Sequence, residues 1–202
     1  MDTNSLTIDG INIPRSNHPT IRKLKRKTKV QYLHGNKVWN TSLVLMDMLK
    51  DLPNVNTKIL DLGCGWGLLS CYLHKKGADV TGMDTDISVK PYFDFMCEYM
   101  SVEPKFVLQD IFNEKLSLDY DVYVACDMCF WESHVEKWLD IIDHLLNNNK
   151  KLILADPGRE SFLNLLELAD KYGYIFTHDE HSINIGNKTS AYIVIFGEDG
   201  EV

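Results

Sequence analysis

At 202 residues the chain suits one domain able to bury roughly 70 % of its unfolded surface, so no disulfide scaffold is needed, and its five cysteines read as thiols in a reducing compartment. The net charge of −8 is uneven: residues 1–50 carry nine Lys/Arg against three Asp/Glu (+6), and residues 51–202 carry twelve against twenty-six (−14). A phosphate-backbone partner would have to be met by the N-terminal segment alone, so general nucleic-acid binding is disfavoured. No run approaches the roughly eighteen apolar residues of a membrane span and the start lacks a signal-peptide pattern, so a cytoplasmic protein without a membrane partner is expected.

Along the chain, residues 1–50 read as a basic N-terminal extension ending in a helix over Ser42–Lys50, and residues 51–202 as the main domain. The basic run Arg22, Lys23, Lys25, Arg26, Lys27, Lys29 is either a guide for an acidic protein substrate or a solvated arm. From Lys58 onward β-rich runs alternate with helical periods, the pattern of βαβ units in a parallel sheet. The expected strands are Lys58–Leu62, Asp79–Met83, Lys105–Leu108, Tyr120–Cys126, Lys151–Ala155, Tyr174–Thr177 and Ser190–Gly197. Helices are expected over Trp66–Lys76, with Gly77 capping it, over Glu132–Asn147 and over Ser161–Lys171; Ile87–Met100 is a weaker candidate interrupted by Pro91. Because no crossover helix separates the last two strands, they should form an antiparallel hairpin at the end of an otherwise parallel sheet.

The strongest local signal is Ile59-Leu60-Asp61-Leu62-Gly63-Cys64-Gly65-Trp66-Gly67, an apolar strand bearing an acid and running into three alternate glycines that open a helix. A side chain at Gly63, Gly65 or Gly67 would obstruct the tight turn or keep a ligand from the backbone and the helix N-terminus. The spacing differs from the G-x-G-x-x-G of dinucleotide enzymes. It resembles that of the class I, seven-strand S-adenosylmethionine-dependent methyltransferases, whose seven-stranded Rossmann-like α/β sheet also ends in a reversed strand. The resemblance implies that Asp61 lies by the cofactor's amino group and that the backbone of Gly63, Cys64, Gly65 and Gly67 lies against its methionine and ribose portions. Asp84 ends the next strand 23 positions later, near the ~20-residue offset of a ribose-binding acid, with Asp86 as competitor. Asp110 ends the third strand, where the family's acid accepts from the adenine amino group. Acids at strand ends also serve as helix caps, but three in order with the glycine turn point to S-adenosylmethionine.

After the fourth strand, Asp127-Met128-Cys129-Phe130-Trp131 is similar to the D-x-x-Y of seven-strand lysine methyltransferases and, more distantly, to the D-P-P-Y of amino-methylating DNA enzymes. Both imply an amine acceptor, with Asp127 orienting the amine and Phe130 and Trp131 tolerating a developing cation. The two prolines of the DNA enzymes are missing, and Phe130 stands where the lysine enzymes have Tyr; a buried strand extension is the competing reading. Asp156-Pro157-Gly158-Arg159 resembles a segment of the electron transfer flavoprotein β-subunit lysine methyltransferases and their bacterial relatives, or is a simple turn whose Arg159 caps acids. Gly35-Asn36-Lys37-Val38-Trp39 resembles the segment before their glycine loop, and Trp39 either lines the methionine end of the cofactor pocket or is core. The pair Cys126-x-x-Cys129 has no partner pair, and no metal is assigned. The expected activity is N-methylation, with protein lysine favoured as acceptor, a small-molecule amine next, and a non-catalytic cofactor-binding scaffold as the alternative of another class; the oligomeric state is left open.

Overall fold

Apolar runs long enough for a strand and too short for a helix recur between amphipathic segments, and they assemble as the sheet that this pattern demands. The structure, a computed structural model, describes residues 4–28, 37–51 and 56–197. Lys29, His34, Gly35 and Asn36 lie outside the described residues.

A hairpin, β1 (Ser5–Ile8) and β2 (Ile11–Pro14), comes first, then α1 (Pro19–Lys27) and α2 (Asn40–Met48). The main sheet contains β3 (Lys58–Leu62), β4 (Asp79–Asp84), β5 (Lys105–Leu108), β6 (Val122–Cys126), β7 (Lys151–Asp156), β8 (Phe176–Asn184) and β9 (Lys188–Phe196). Its helices are α3 (Leu68–Lys75), α4 (Lys90–Met100), α5 (Val135–Leu146) and α6 (Glu160–Lys171). The strand order is β5-β4-β3-β6-β7-β9-β8, parallel from β5 to β7 and antiparallel at β7-β9 and β9-β8. This is the Rossmann-like, mostly parallel seven-stranded arrangement with a reversed last strand that the sequence pattern predicts.

The period of two along each central strand sorts side chains onto two cores. Ile59, Val124, Ile153 and Ile193 face a cluster shared with α2, α3 and α4, whereas Leu60, Tyr123, Leu152, Leu154 and Val194 face a cluster shared with α5 and α6. All seven strands form in the expected order with the closing hairpin, but the fourth begins at Val122 rather than Tyr120, and the hairpin's first arm is Phe176–Asn184 rather than Tyr174–Thr177. Pro91 does not interrupt its helix. A 3-10 turn over Ile87–Val89 precedes α4, so Pro91 sits in the first turn, where its missing N–H has no partner to lose.

Upstream of residue 28 the structure adds elements that the sequence reading lacks. The β1–β2 turn is Asp9-Gly10 with φ of +49° and +70°, the conformation that Asp-Gly favours in two-residue hairpins. Asp9 accepts hydrogen bonds from Tyr72 Oη (3.1 Å) and Lys76 Nζ (2.8 Å) of α3 and its cap. In α1, Pro19 takes the first turn and His18 Nδ1 accepts from the Thr20 N–H. The helix buries Ile21 while Arg22, Lys23, Lys25, Arg26 and Lys27 stay exposed. The cations are solvated, as an arm's would be, but the helix is anchored: Ile8, Ile13 and Ile21 belong to the same core cluster as Leu45 of α2 and Tyr72 of α3.

Ile21 is fully buried, so Ile21→Ala should cost about 2–5 kcal/mol in denaturant unfolding with an unchanged slope. A change near zero would show that the N-terminal clasp is dispensable to the domain.

Candidate active site

The winding of the parallel strands reverses between β3 and β6, and in such sheets this switch point opens a crevice at the strands' carboxyl ends. A cavity of about 380 Å³ lies there, walled by the glycine loop, the ends of β4 and β5, the loop after β6 and the Lys37–Trp39 segment. Its size suits a small-molecule ligand. Trp39, Asp61, Gly63, Cys64, Gly65, Asp84, Asp110, Asp127, Phe130 and Trp131 all line it; Gly67 does not.

Gly63, Gly65 and Gly67 all take left-handed φ (+69°, +52°, +72°), which side-chain-bearing residues rarely adopt. A Cβ at Gly63 would strike Met128 and one at Gly67 would strike Phe93 of α4, so both leave room for protein side chains. At Gly65 a Cβ would meet nothing within 4 Å, and this is the glycine whose backbone borders open space. The loop is tied to β4 by two bonds, from the Cys64 N–H to Met83 O (2.9 Å) and from the Gly65 N–H to Asp84 Oδ2 (2.9 Å).

Asp84 therefore braces the turn as well as lining the cavity, and its Oδ1 accepts from the Asp86 N–H (2.8 Å). Burial pushes its carboxyl above the ordinary carboxylate range. Asp86 also lines the cavity but is buried, and its side chain caps the following 3-10 turn through the Ser88 N–H (2.9 Å). At the end of β5, Asp110 accepts from the Phe112 N–H (2.9 Å) and Asn113 Nδ2 (2.7 Å), beside Ile111 and Phe112. Asp61 is the deepest of these acids. Burial, opposed by a 2.5 Å bond from Ser70 Oγ and reinforced by the charge of Asp84, pushes its carboxyl up to about 7.

The other end of the cavity centres on Asp127, the first residue beyond β6, at φ +57° and 3 % exposed. Its Oδ1 accepts from Arg159 Nη2 (2.7 Å), whereas its Oδ2 is buried and has no hydrogen-bond partner. Arg159 also donates through Nη1 to Asp156 Oδ2 (2.5 Å), and Asp156 Oδ1 accepts from the Gly158 N–H (2.9 Å) and Arg159 N–H (2.8 Å). The guanidinium lies 4.0 Å from the Phe130 ring centroid and 5.7 Å from that of Trp39, and these two rings meet edge to face at 5.4 Å. Trp131, 52 % exposed, stands at the rim.

Sequence reasoning did not place Arg159 beside Asp127, although the D-P-G-R turn that carries it was visible. It also missed Lys37, whose Nζ lies 3.7 Å from the Trp39 ring centroid, and Met128, Phe112, His134 and Lys137, all on the cavity wall. Among the described residues no cluster of His, Cys, Asp and Glu could hold a metal, and no helix is long and apolar enough to cross a membrane.

Residues 59–149 match the family model of a methyltransferase domain. A TehB-like S-adenosylmethionine-dependent methyltransferase from Corynebacterium glutamicum is similar in structure, at 24 % identity and TM-score 0.55 over 88 % of this chain and 94 % of that one. Magnesium protoporphyrin IX methyltransferase from Synechocystis, solved with S-adenosylmethionine bound, is 19 % identical with a TM-score of 0.60 over 91 % and 93 %. The ribosomal protein L11 methylase of Lactobacillus delbrueckii is 18 % identical with a TM-score of 0.54 over 76 % and 77 %. No curated protein matches the sequence.

The raised Asp61 carboxyl makes a signed prediction for the ligand-free protein. Between about 4 and about 7 the folded state holds a proton that the unfolded chain has released, so Asp61's contribution to stability is full below that window and is lost as pH rises through it. Unfolding free energies from denaturant titrations at steps from pH 4 to 8 should fall more steeply for the parent than for Asp61→Asn, by on the order of a few kcal/mol across the window. Parallel curves would mean that Asp61 titrates as an ordinary carboxylate.

Proposed function

We propose that this chain is an S-adenosylmethionine-dependent methyltransferase that transfers the cofactor's methyl group to an amine nitrogen, with a protein lysine side chain as the favoured acceptor; the methyltransferase-domain match over residues 59–149 and the fold support the first part. The observation that carries the reading is the Asp127 carboxylate, with one oxygen held by Arg159 and the other buried and unpartnered on a residue of the cavity wall. A buried acceptor without a donor costs about 1–3 kcal/mol, and non-glycine residues at positive φ are uncommon; both features persist at sites that a ligand completes.

The residues present fit the cofactor. Asp61 and Asp84 are largely buried carboxylates, neither in an ion pair among the described residues, and the backbone at Gly65 borders open space. In this reading Asp61 holds the amino group of the methionine portion, Asp84 the ribose hydroxyls and Asp110 the adenine amino group. Gly63, Cys64 and Gly65 lend their backbone, and Trp39 closes the methionine end. Gly67 acts beneath the loop by seating Phe93. When bound, the cofactor supplies an electrophilic methyl on a sulfonium.

The chain's own task is to align a nucleophile with that methyl, and such orientation is worth up to roughly 7–11 kcal/mol in favourable systems. Asp127 Oδ2 accepts a hydrogen bond from the incoming ammonium and takes up its proton, and the lone pair thus freed turns toward the methyl. The faces of Phe130 and Trp131 tolerate the ammonium that develops. Half-exposed Trp131 offers an apolar face to a lysine stem at the rim, which supports a side chain of a protein over a freely diffusing amine.

The enzyme incubated with radiolabelled cofactor and a lysate of the organism that encodes it should place alkali-stable label in protease-sensitive material. Label confined to small molecules would overturn the lysine assignment, and alkali-labile methyl esters the amine assignment. Asp127→Asn keeps an oxygen for Arg159 but turns an N–H donor toward the acceptor. Its turnover should fall about 10²–10⁴-fold while cofactor affinity and melting temperature stay near the parent's. Unchanged methylation by this folded variant would remove Asp127 from the chemistry.

A further inference from the structure

One guanidinium serves two buried carboxylates at the acceptor end, and we infer that Arg159 is a positioning residue that leaves the Asp127, Asp156 and Arg159 cluster with one uncancelled negative charge, selecting a cationic amine. The inference rests on the amine reading above and names how that site chooses its substrate.

Asp156 is 1 % exposed and Asp127 3 %, so neither charge is screened by bulk water. Arg159 divides its two terminal nitrogens, Nη1 to Asp156 and Nη2 to Asp127, where a bidentate clamp on a single acid would have cancelled one charge and left the other unmet. Asp156 Oδ1 is held by two backbone N–H groups of its own turn, and a Cβ at Gly158 (φ +95°) would meet Tyr192 at 2.7 Å, so the D-P-G-R turn admits little else at that position. Three of the four carboxylate oxygens thus have donors. The fourth, Asp127 Oδ2, is where the orphaned acceptor and the uncancelled charge coincide.

The same guanidinium fixes the aromatic wall. Its position 4.0 Å from the Phe130 centroid and 5.7 Å from that of Trp39 backs both rings on the side of the cluster. An incoming ammonium would therefore meet an acceptor oxygen and aromatic faces already set, whereas a neutral alcohol would gain only the hydrogen bond and a carboxylate would be repelled.

The test uses the full chain loaded with S-adenosylhomocysteine and three probes of one length: n-butylamine, which is cationic at neutral pH, n-butanol and butyrate. Tryptophan fluorescence, with Trp39 and Trp131 on the cavity wall, reports binding. The parent should prefer butylamine to butanol at least tenfold and exclude butyrate. Asp156→Asn frees Arg159 to cancel Asp127, so the preference should fall toward unity with butanol binding unchanged. Arg159→Lys keeps a charge but not the two-way bridge, and should retain part of the preference with weaker butylamine binding. Melting temperature and S-adenosylhomocysteine affinity, measured on each variant, separate this from a folding defect, and Arg159→Lys carries the test alone should Asp156→Asn not fold. An unchanged preference in variants that bind S-adenosylhomocysteine normally overturns the inference, whereas a parent without preference overturns the amine reading beneath it.

Discussion

Four carboxylates, Asp61, Asp84, Asp127 and Asp156, converge at or beside the carboxyl ends of four adjacent parallel strands, and the site is arranged around the cost of keeping them there. A buried charge without partners is among the most expensive features a fold can hold. Each acid meets that cost differently. Asp84 is held by the backbone amides of the glycine loop and its own turn, and Asp156 by two amides and a guanidinium. Asp61 has the Ser70 hydroxyl and takes up a proton near neutrality. Asp127 alone keeps an oxygen in reserve. A crevice so rich in carboxylate calls for a cation, and in the proposed reading a sulfonium cofactor and an amine acceptor answer it at both ends.

The glycine loop shows how little of a motif's requirement need come from the ligand. Met128 fills the place of a Gly63 side chain and Phe93 that of a Gly67 side chain, so the loop is pressed between the loop after β6 and α4. Trp66, in the same loop, stacks on Tyr92 of α4 at 4.6 Å, with Lys25 of α1 lying 5.4 Å from its ring centroid. The N-terminal segment thus bears on the glycine loop both through Lys25 and through α4. Repacking Phe93 would move the loop as surely as a change in the loop itself, because close-packed interiors transmit strain.

Much of this was legible in the sequence because it is local. Apolar runs, the missing crossover before the last strand and acids at strand ends are properties of short windows, and each survives folding. Pro91 was misread because the rule against proline holds for helix interiors, and the 3-10 turn ahead of it moved the first turn to Lys90. The first hairpin was marked by Asp9-Gly10, but its strands have four residues each, too few to show a period beside the stronger charge run. The meeting of Arg159 with Asp127 could not be read, since 32 residues separate them and no window contains both. Whether Arg159 capped its own turn or reached the neighbouring strand end depended on the alignment of β6 with β7.

That separation bears on where acceptor choice is written. The family match spans residues 59–149, which holds Asp61, Asp84, Asp110 and Asp127 but ends before Asp156 and Arg159 and begins after Trp39. The glycine loop, these four acids and Phe130 therefore lie within the matched domain, whereas Trp39 and the Arg159 guanidinium come from flanking chain. Solved structures of this fold include a porphyrin methyltransferase and a ribosomal protein methylase, so the shared sheet does not choose among acceptors. Choice has to come from what each chain adds around the fourth strand's loop. Here the addition is Trp39 from one side and the D-P-G-R turn from the other, meeting over Phe130 beside the Asp127 carboxylate, one of whose oxygens is buried and without a hydrogen-bond partner.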